Sequence, residues 1–270
     1  PHVGTDKLRA MVTGLANKIR ALGGEIRYHA HVTGFIVNEN VLTGVILAGG
    51  EKIMSNAVVL ACGHSARDTY ASLLKLGVGI EAKPFAIGVR IEHPQELIDK
   101  AQYGDFAGHP RLGAADYALV HHTPDKSRTA YSFCMCPGGV VVAAASETGG
   151  VVVNGMSMYR RDSGIANSAI VVNVGPQDFG TDPLAGVEFQ RHYEKLAFRA
   201  GGGCYKAPAQ NVGSFLKRLT PDLQCAVEPT YRPGLTACTL DSVLPDFVAD
   251  TLRAGIAAFD RKIHGFADGG

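Results

Sequence analysis

The chain has 270 residues, 46% of them hydrophobic, enough for a sizeable core in one large domain or two smaller ones. Its 26 basic and 25 acidic residues leave a net charge of +1 with no basic block, which argues against nucleic acid or an acidic membrane surface as a partner. No signal-like segment and no apolar run of about 20 residues is visible, so no membrane span is expected and the cytoplasm is the expected compartment.

The first predicted element is an amphipathic helix. Thr5 is its N-cap, Leu8, Val12, Leu15, Ile19 and Leu22 follow at spacings of four and three, and Gly23-Gly24 closes it. EIRYHAHV then alternates Ile26, Tyr28, Ala30 and Val32 with polar residues, as a half-buried strand does. Residues 34–63 read as a meander with turns at Asn38-Glu39-Asn40 and Gly49-Gly50. The last run of the meander, AVVLA, is continuously apolar, which predicts a strand buried on both faces. Ser65 and Asp68 have capping-box spacing for a second helix that carries Tyr70, Leu73 and Leu74 and stops at Gly77.

Residues 81–93 predict a crossover strand, and Pro94 opens a short helix through Leu97 and Ile98. The middle is strand-rich: YALVHH, TAYSFCMC, GGVVVAAAS, GGVVVNG and SAIVVNV point to a mixed or antiparallel sheet. Helices near 186–199 and 245–260 follow, the first ended by Gly201-Gly202-Gly203.

Candidate chemistry is sparse. Six cysteines show no C-x-x-C pair and no metal-ligand spacing, so they read as reduced thiols. Cys134 and Cys136 alternate on a strand and are expected to point the same way, as buried small hydrophobes or as a redox pair. His121 and His122 are adjacent on a strand and face opposite ways, which disfavours a shared metal. Arg160-Arg161-Asp162 reads as a surface ion pair or an anion contact; Asn154, Ser157 and Asn167 serve turns or line a cleft. No Gly-x-Ser-x-Gly elbow supports a hydrolase. The stretch VVLACGHSARD ends an apolar run at Gly63, where a backbone without Cβ admits close approach, and starts a helix whose free amides favour an anion.

Several longer stretches carry a family resemblance: PHVGTDKL, LACGHSARDTY, EAKPFAIGVRIEHPQ, CPGGVVVAAASE, VVVNGMSMYRRDSGIANSAIVV and APAQ. Together with the order helix, strand, meander and Ala-x-Gly strand, they resemble a bacterial family of FAD-dependent dehydrogenases with a glutathione-reductase-like FAD/NAD(P)-binding domain. The resemblance spans roughly 1–240. It implies an α/β fold, α+β for this stretch taken alone. Residues 1–83 with part of 241–270 would be a partial, Rossmann-like FAD/NAD(P)-binding domain with an antiparallel meander, and 84–240 a mixed-sheet substrate domain. It implies that Val32 ends the strand bordering the adenine, and that Ala61, Cys62 and Gly63 end the strand returning to the cofactor. It places His64, Ser65 and Arg67 facing the cofactor or the interdomain cleft, and Gly4 and Thr5 near the cofactor.

The family's Gly-x-Gly-x-x-Gly turn is nowhere in this chain, and neither is its closing Gly-rich segment; Gly201-Gly202-Gly203-Cys204 ends a helix and is no substitute. The expectation is therefore an internal piece of an FAD-dependent oxidoreductase, inactive alone and holding FAD weakly or not at all. Its partners would be a small-molecule substrate and NAD(P)H or another electron donor or acceptor. The rival expectation is a cofactor-free binding or scaffolding module that keeps a flavoprotein-like fold.

Overall fold

The computed structural model describes residues 3–268. Helix α1 (Thr5–Ala21) forms as the apolar spacing predicts, yet none of its residues is buried, and Leu15 stands 63% exposed. A meander follows, of β1 (Val32–Asn38), β2 (Val41–Leu47) and β3 (Lys52–Met54), antiparallel in that order. The turn at Glu39-Asn40 places both residues at positive φ, as tight hairpins demand.

Two expected strands do not form. Residues 25–31 are irregular until Val32 enters β1, so the alternation of EIRYHAHV has no sheet to follow. AVVLA, expected to be buried on both faces, is unpaired; Val59 is 89% exposed. A doubly buried strand needs a neighbour on each edge for its backbone groups. Among the described residues nothing pairs with 57–61. Helix α2 (Arg67–Lys75) starts two residues after Ser65, and the expected capping box is absent: Ala66 is the N-cap, with no side-chain cap bond.

The rest of the chain organises around one antiparallel sheet. β4 (Phe85–Pro94) leads through α3 (Gln95–Tyr103) to β5 (Val120–His122) and β6 (Thr129–Cys136). A hairpin of β7 (Gly139–Ala143) and β8 (Val153–Ser157) precedes β9 (Ile165–Val174). The sheet order is β4-β9-β6-β5, which leaves β4 at an edge. The short α4 (Pro176–Phe179) and the long α5 (Ala185–Ala200) come next. They are followed by β10 (Ala207–Ala209), α6 (Val212–Lys217), β11 (Leu235–Ala237) and α7 (Asp246–Asp260). β10 and β11 pair in parallel; every other pairing among the described strands is antiparallel. The architecture is α+β.

Strand alternation gives the sheet two different faces. Ile87, Val89 and Ile91 on β4 lie opposite Val172, Ile170 and Ser168 on β9. This face carries the core, where Val248, Leu252, Ile256 and Phe259 of α7 are buried to 2% exposure or less. Their spacing of four, four and three keeps them on one stripe. Each such side chain contributes about 1.5–3 kcal/mol by leaving water. The other face presents Ala86, Gly88, Arg90 and Glu92 opposite Asn173, Val171, Ala169 and Asn167. A bulge in β6 between Phe133 and Cys136 corrects the cysteine expectation. Cys134 takes φ 48° at the bulge and is exposed, while Cys136 is buried, so the extra residue breaks the alternation that would have aligned them.

Candidate functional site

The free edge of β4 borders a cavity of about 540 Å³. Residues 85–92 line it without a gap. A strand seen face-on shows only every second residue, so an unbroken run means that the cavity wraps the strand's edge. The opposite walls come from α5, from 207–212 at β10, from the segment 227–231 and from 240–244. The lining is mostly Val, Ala, Leu, Ile and Pro, interrupted by polar side chains that include the charged Arg67, Arg90, Glu92 and Glu194.

Most of those polar side chains are already satisfied within the protein. Gln210 donates to Leu219 O and accepts from Leu240 N. Asn211 caps α6 through Ser214 N and donates to Gln224 O. Tyr231 donates its hydroxyl to Tyr205 O at 3.0 Å.

Glu92 is different. Thr230 supplies both of its donors: the backbone N lies 3.2 and 3.3 Å from the two carboxylate oxygens, and the hydroxyl bonds Oε1. The Thr230 hydroxyl in turn accepts Val141 N at 2.7 Å, so its single proton is directed at Glu92. Oε2 is left with only a share of one long bond. Glu92 forms no ion pair among the described residues. Burial pushes its carboxyl above the usual carboxylate range, against the pull of the Thr230 donors and of Arg90.

Arg90, two residues earlier on the same face, is held by neutral oxygens: Asn167 Oδ1 at 2.5 Å, Asn154 Oδ1 at 3.3 Å and the carbonyl of Cys134. Its guanidinium lies over Gly155, where a Cβ would come within 2.1 Å of Nη1. Asn154 and Asn167 thus fasten the β7–β8 hairpin to the sheet. Ser157 donates to Pro137 O. Arg160, Arg161 and Asp162 form no ion pair among the described residues.

The residues singled out from the sequence fall into three places. His64, Ser65 and Arg67 line the cavity, the first two as exposed residues at its rim. Ala61, Cys62 and Gly63 form an exposed loop leading to that rim, and Gly63 takes φ 78° with its carbonyl bonded by Tyr70 Oη at 3.1 Å. Gly4, Thr5 and Val32 lie elsewhere. Gly4 is the N-cap of α1 at φ 89°, so Thr5 is the first helical residue rather than the cap. The start of α1 is tied to the 158–161 turn, where Asp6 Oδ1 accepts Tyr159 N at 2.8 Å. Val32 opens β1 opposite Leu47.

Arg67 makes the densest polar contact. Buried to 7% exposure, it donates to Glu147, Gln190 and both oxygens of Glu194. Arg191 and Arg67 hold the Glu147 carboxyl down at about 2. Sequence reasoning missed Glu92, Thr230, Glu147 and Glu194. A signal existed for the first: Arg90 and Glu92 stand two apart in the otherwise apolar FAIGVRIEH, which puts two charges on one strand face.

Comparison with known proteins gives this geometry a family. A protein of Clostridium beijerinckii (strain ATCC 51743 / NCIMB 8052), itself described as uncharacterized, is 51% identical over 267 residues, 98% of this chain. The chain spans about half the length of that curated relative. Residues 84–270, which include the whole four-stranded sheet and nearly all of the cavity wall, match the family described as FAD-dependent protein, C-terminal domain-like. By that match the chain belongs to the FAD-dependent protein, C-terminal domain-like family.

Proposed function

We propose that this chain is the substrate-side part of an FAD-dependent oxidoreductase: 84–240 surround the substrate cavity, and 1–83 with the C-terminal tail belong to a Rossmann-like FAD/NAD(P)-binding domain. The observation that supports this reading is that His64, Ser65 and Arg67 line the same cavity as β4 and α5. These are the residues that the family resemblance sets at the cofactor. The exposed faces of α1 and of 57–61 fit a domain with further elements packed on it, in a protein about twice this length.

The residues of this chain fit one flank of FAD only. Gly63 offers open backbone beside the cavity: a Cβ built there meets nothing within 4 Å. No Gly-x-Gly-x-x-Gly turn is present to take the pyrophosphate. A bound flavin would supply the hydride and electron chemistry. This chain's own part is to exclude water from an apolar chamber, to seat the substrate against β4 and to fix the rim through Arg67.

Calorimetric titration of FAD into this chain, beside the full-length parent, tests the reading. Tight binding by the parent and weak or no binding by the chain is the expected pair of results. Tight binding by the chain alone overturns the account of the missing cradle. No binding by either moves the assignment to a cofactor-free binding module, the reading that the absent glycine turn also favours.

A further inference from the structure

We infer that the cavity beside β4 takes a predominantly apolar small molecule with a carbonyl-type acceptor, and that Glu92, as the neutral acid, donates a hydrogen bond to that acceptor. The inference rests on the reading of this cavity as the substrate chamber, but on no property of the flavin.

Three observations carry it. The chamber of about 540 Å³ has room for a compact molecule of two or three rings. The two guanidiniums of its walls spend their Nη donors within the protein, although Arg90 has no carboxylate partner among the described residues and its buried Nε has no acceptor. Arg67 is saturated by Glu147, Glu194 and Gln190, and Arg90 is enclosed by carbonyl oxygens against Gly155. Gln210, Asn211 and Tyr231 spend their polar atoms on the protein. Glu92 Oε2 is less occupied, because the Thr230 hydroxyl goes to Oε1 and the two oxygens share the long Thr230 N–H bond; the Ser146 and Tyr193 hydroxyls on the wall are further polar groups without a hydrogen bond among the described residues.

The asymmetry sets the direction of the hydrogen bond. In the neutral acid the proton sits on Oε2, since Oε1 is occupied as an acceptor from the Thr230 hydroxyl, and Oε2–H is the donor to the ligand's carbonyl. On ionisation the proton leaves to solvent, the electron pair of the bond stays on the carboxylate, and the Thr230 N–H and O–H hold that charge without rearranging. The groups facing Glu92 are few: Arg90 on β4 is the charged neighbour, Asn167 on β9 and Thr230 are uncharged. Burial favours the neutral acid, which extends the pH range over which Glu92 can donate.

The test uses Prodan, a neutral naphthyl ketone whose emission shifts blue in apolar surroundings and red when its carbonyl accepts a hydrogen bond. Wild-type chain should bind it saturably, and binding should weaken about tenfold as rising pH ionises Glu92 and removes the donor. Glu92→Gln keeps an N–H donor and the side-chain volume, so it should bind Prodan with no such pH step. Thr230→Val removes a donor to the charged form and should move the step to higher pH. In parallel, the Glu92 carboxyl can be followed by carbon NMR, which reads its titration whether or not Prodan binds. Absence of saturable binding, a pH step that survives in Glu92→Gln, or a Glu92 resonance that titrates in the ordinary carboxylate range overturns the inference. None of these readings involves FAD, so failure here is separable from failure of the flavin titration.

Discussion

Arg67, the first residue of α2, and Glu194, in the second half of α5, meet as a two-pronged pair, with N–H···O distances of 2.7 and 3.0 Å and side-chain exposures of 6% and 15%. They join the GHSARD stretch to the cavity wall. Removing the arginine would leave Glu194 half enclosed without a countercharge, and Glu147 with Arg191 alone. Arg67→Met is expected to destabilise the chain by about 2–3 kcal/mol, measured by urea denaturation. Arg67→Lys keeps the charge but cannot span both carboxylates, so it should recover less than half of the loss. Limited proteolysis should then cut first between 57 and 66. Equal stability of wild type and Arg67→Met would show that the pair contributes nothing net.

Acid should weaken this fold in two steps. Burial lowers His93 from its ordinary 6.5 to about 4. Its Nε2 donates to Phe266 O at 2.8 Å, and Nδ1 is buried without a partner, so a second proton would be an N–H with no acceptor. The unfolded chain takes that proton up more readily, so stability is full above pH 6.5 and falls as the pH drops toward 4. Glu147, held at about 2 by Arg191 and then Arg67, has its contribution fully present above its ordinary 4.5 and loses it between there and pH 2. Urea midpoints from pH 7 to 3 should show both declines. His93→Gln, which keeps a donor toward Phe266, should flatten the upper step, and Glu147→Gln the lower. Parallel curves for all three proteins would remove the assignment.

The sequence was legible where a segment's own pattern meets a partner within this chain. The expected α5 and α7 match the observed Ala185–Ala200 and Asp246–Asp260 to within about a residue at each end, and TAYSFCMC is β6 residue for residue. Where the partner is not among the described residues the pattern misled: AVVLA has the apolar run of a buried strand and no strand beside it. The bulge at Cys134 has no local signal at all, because it is set by register against β9. The candidate site divides in the same way. His64, Ser65 and Arg67 came from a contiguous stretch. Glu92 and Thr230 lie 138 residues apart in the chain, and only the fold brings them together.

Gly138 turns the chain from β6 into β7 at φ 50°, and a Cβ there would sit 1.8 Å from the carbonyl oxygen of Arg161. That neighbour is backbone and cannot swing aside. Gly138→Ala should therefore cost about 2–3 kcal/mol in urea or thermal denaturation, combining the left-handed penalty with the clash. Gly149 provides the control: its φ is 76°, and a Cβ there meets nothing within 4 Å. Gly149→Ala should cost only the conformational term, about 1 kcal/mol. Similar losses at both positions would mean that the turn at 138 yields to the side chain.

The apolar face of α1 separates this chain from its proposed full-length parent. Val12 and Leu15 are 57% and 63% exposed, and Leu22 at the C-cap 74%, so polar replacements remove almost no buried area here. Val12→Lys with Leu15→Glu should change the stability of this chain by less than about 0.5 kcal/mol and reduce its self-association, read by sedimentation. In the full-length protein the same pair should cost about 3 kcal/mol or more if the remaining half packs on that face, because two aliphatic side chains would then leave a core and two charges would enter it. A negligible cost in both would leave α1 a solvent-facing helix and would count against the domain reading of residues 1–83.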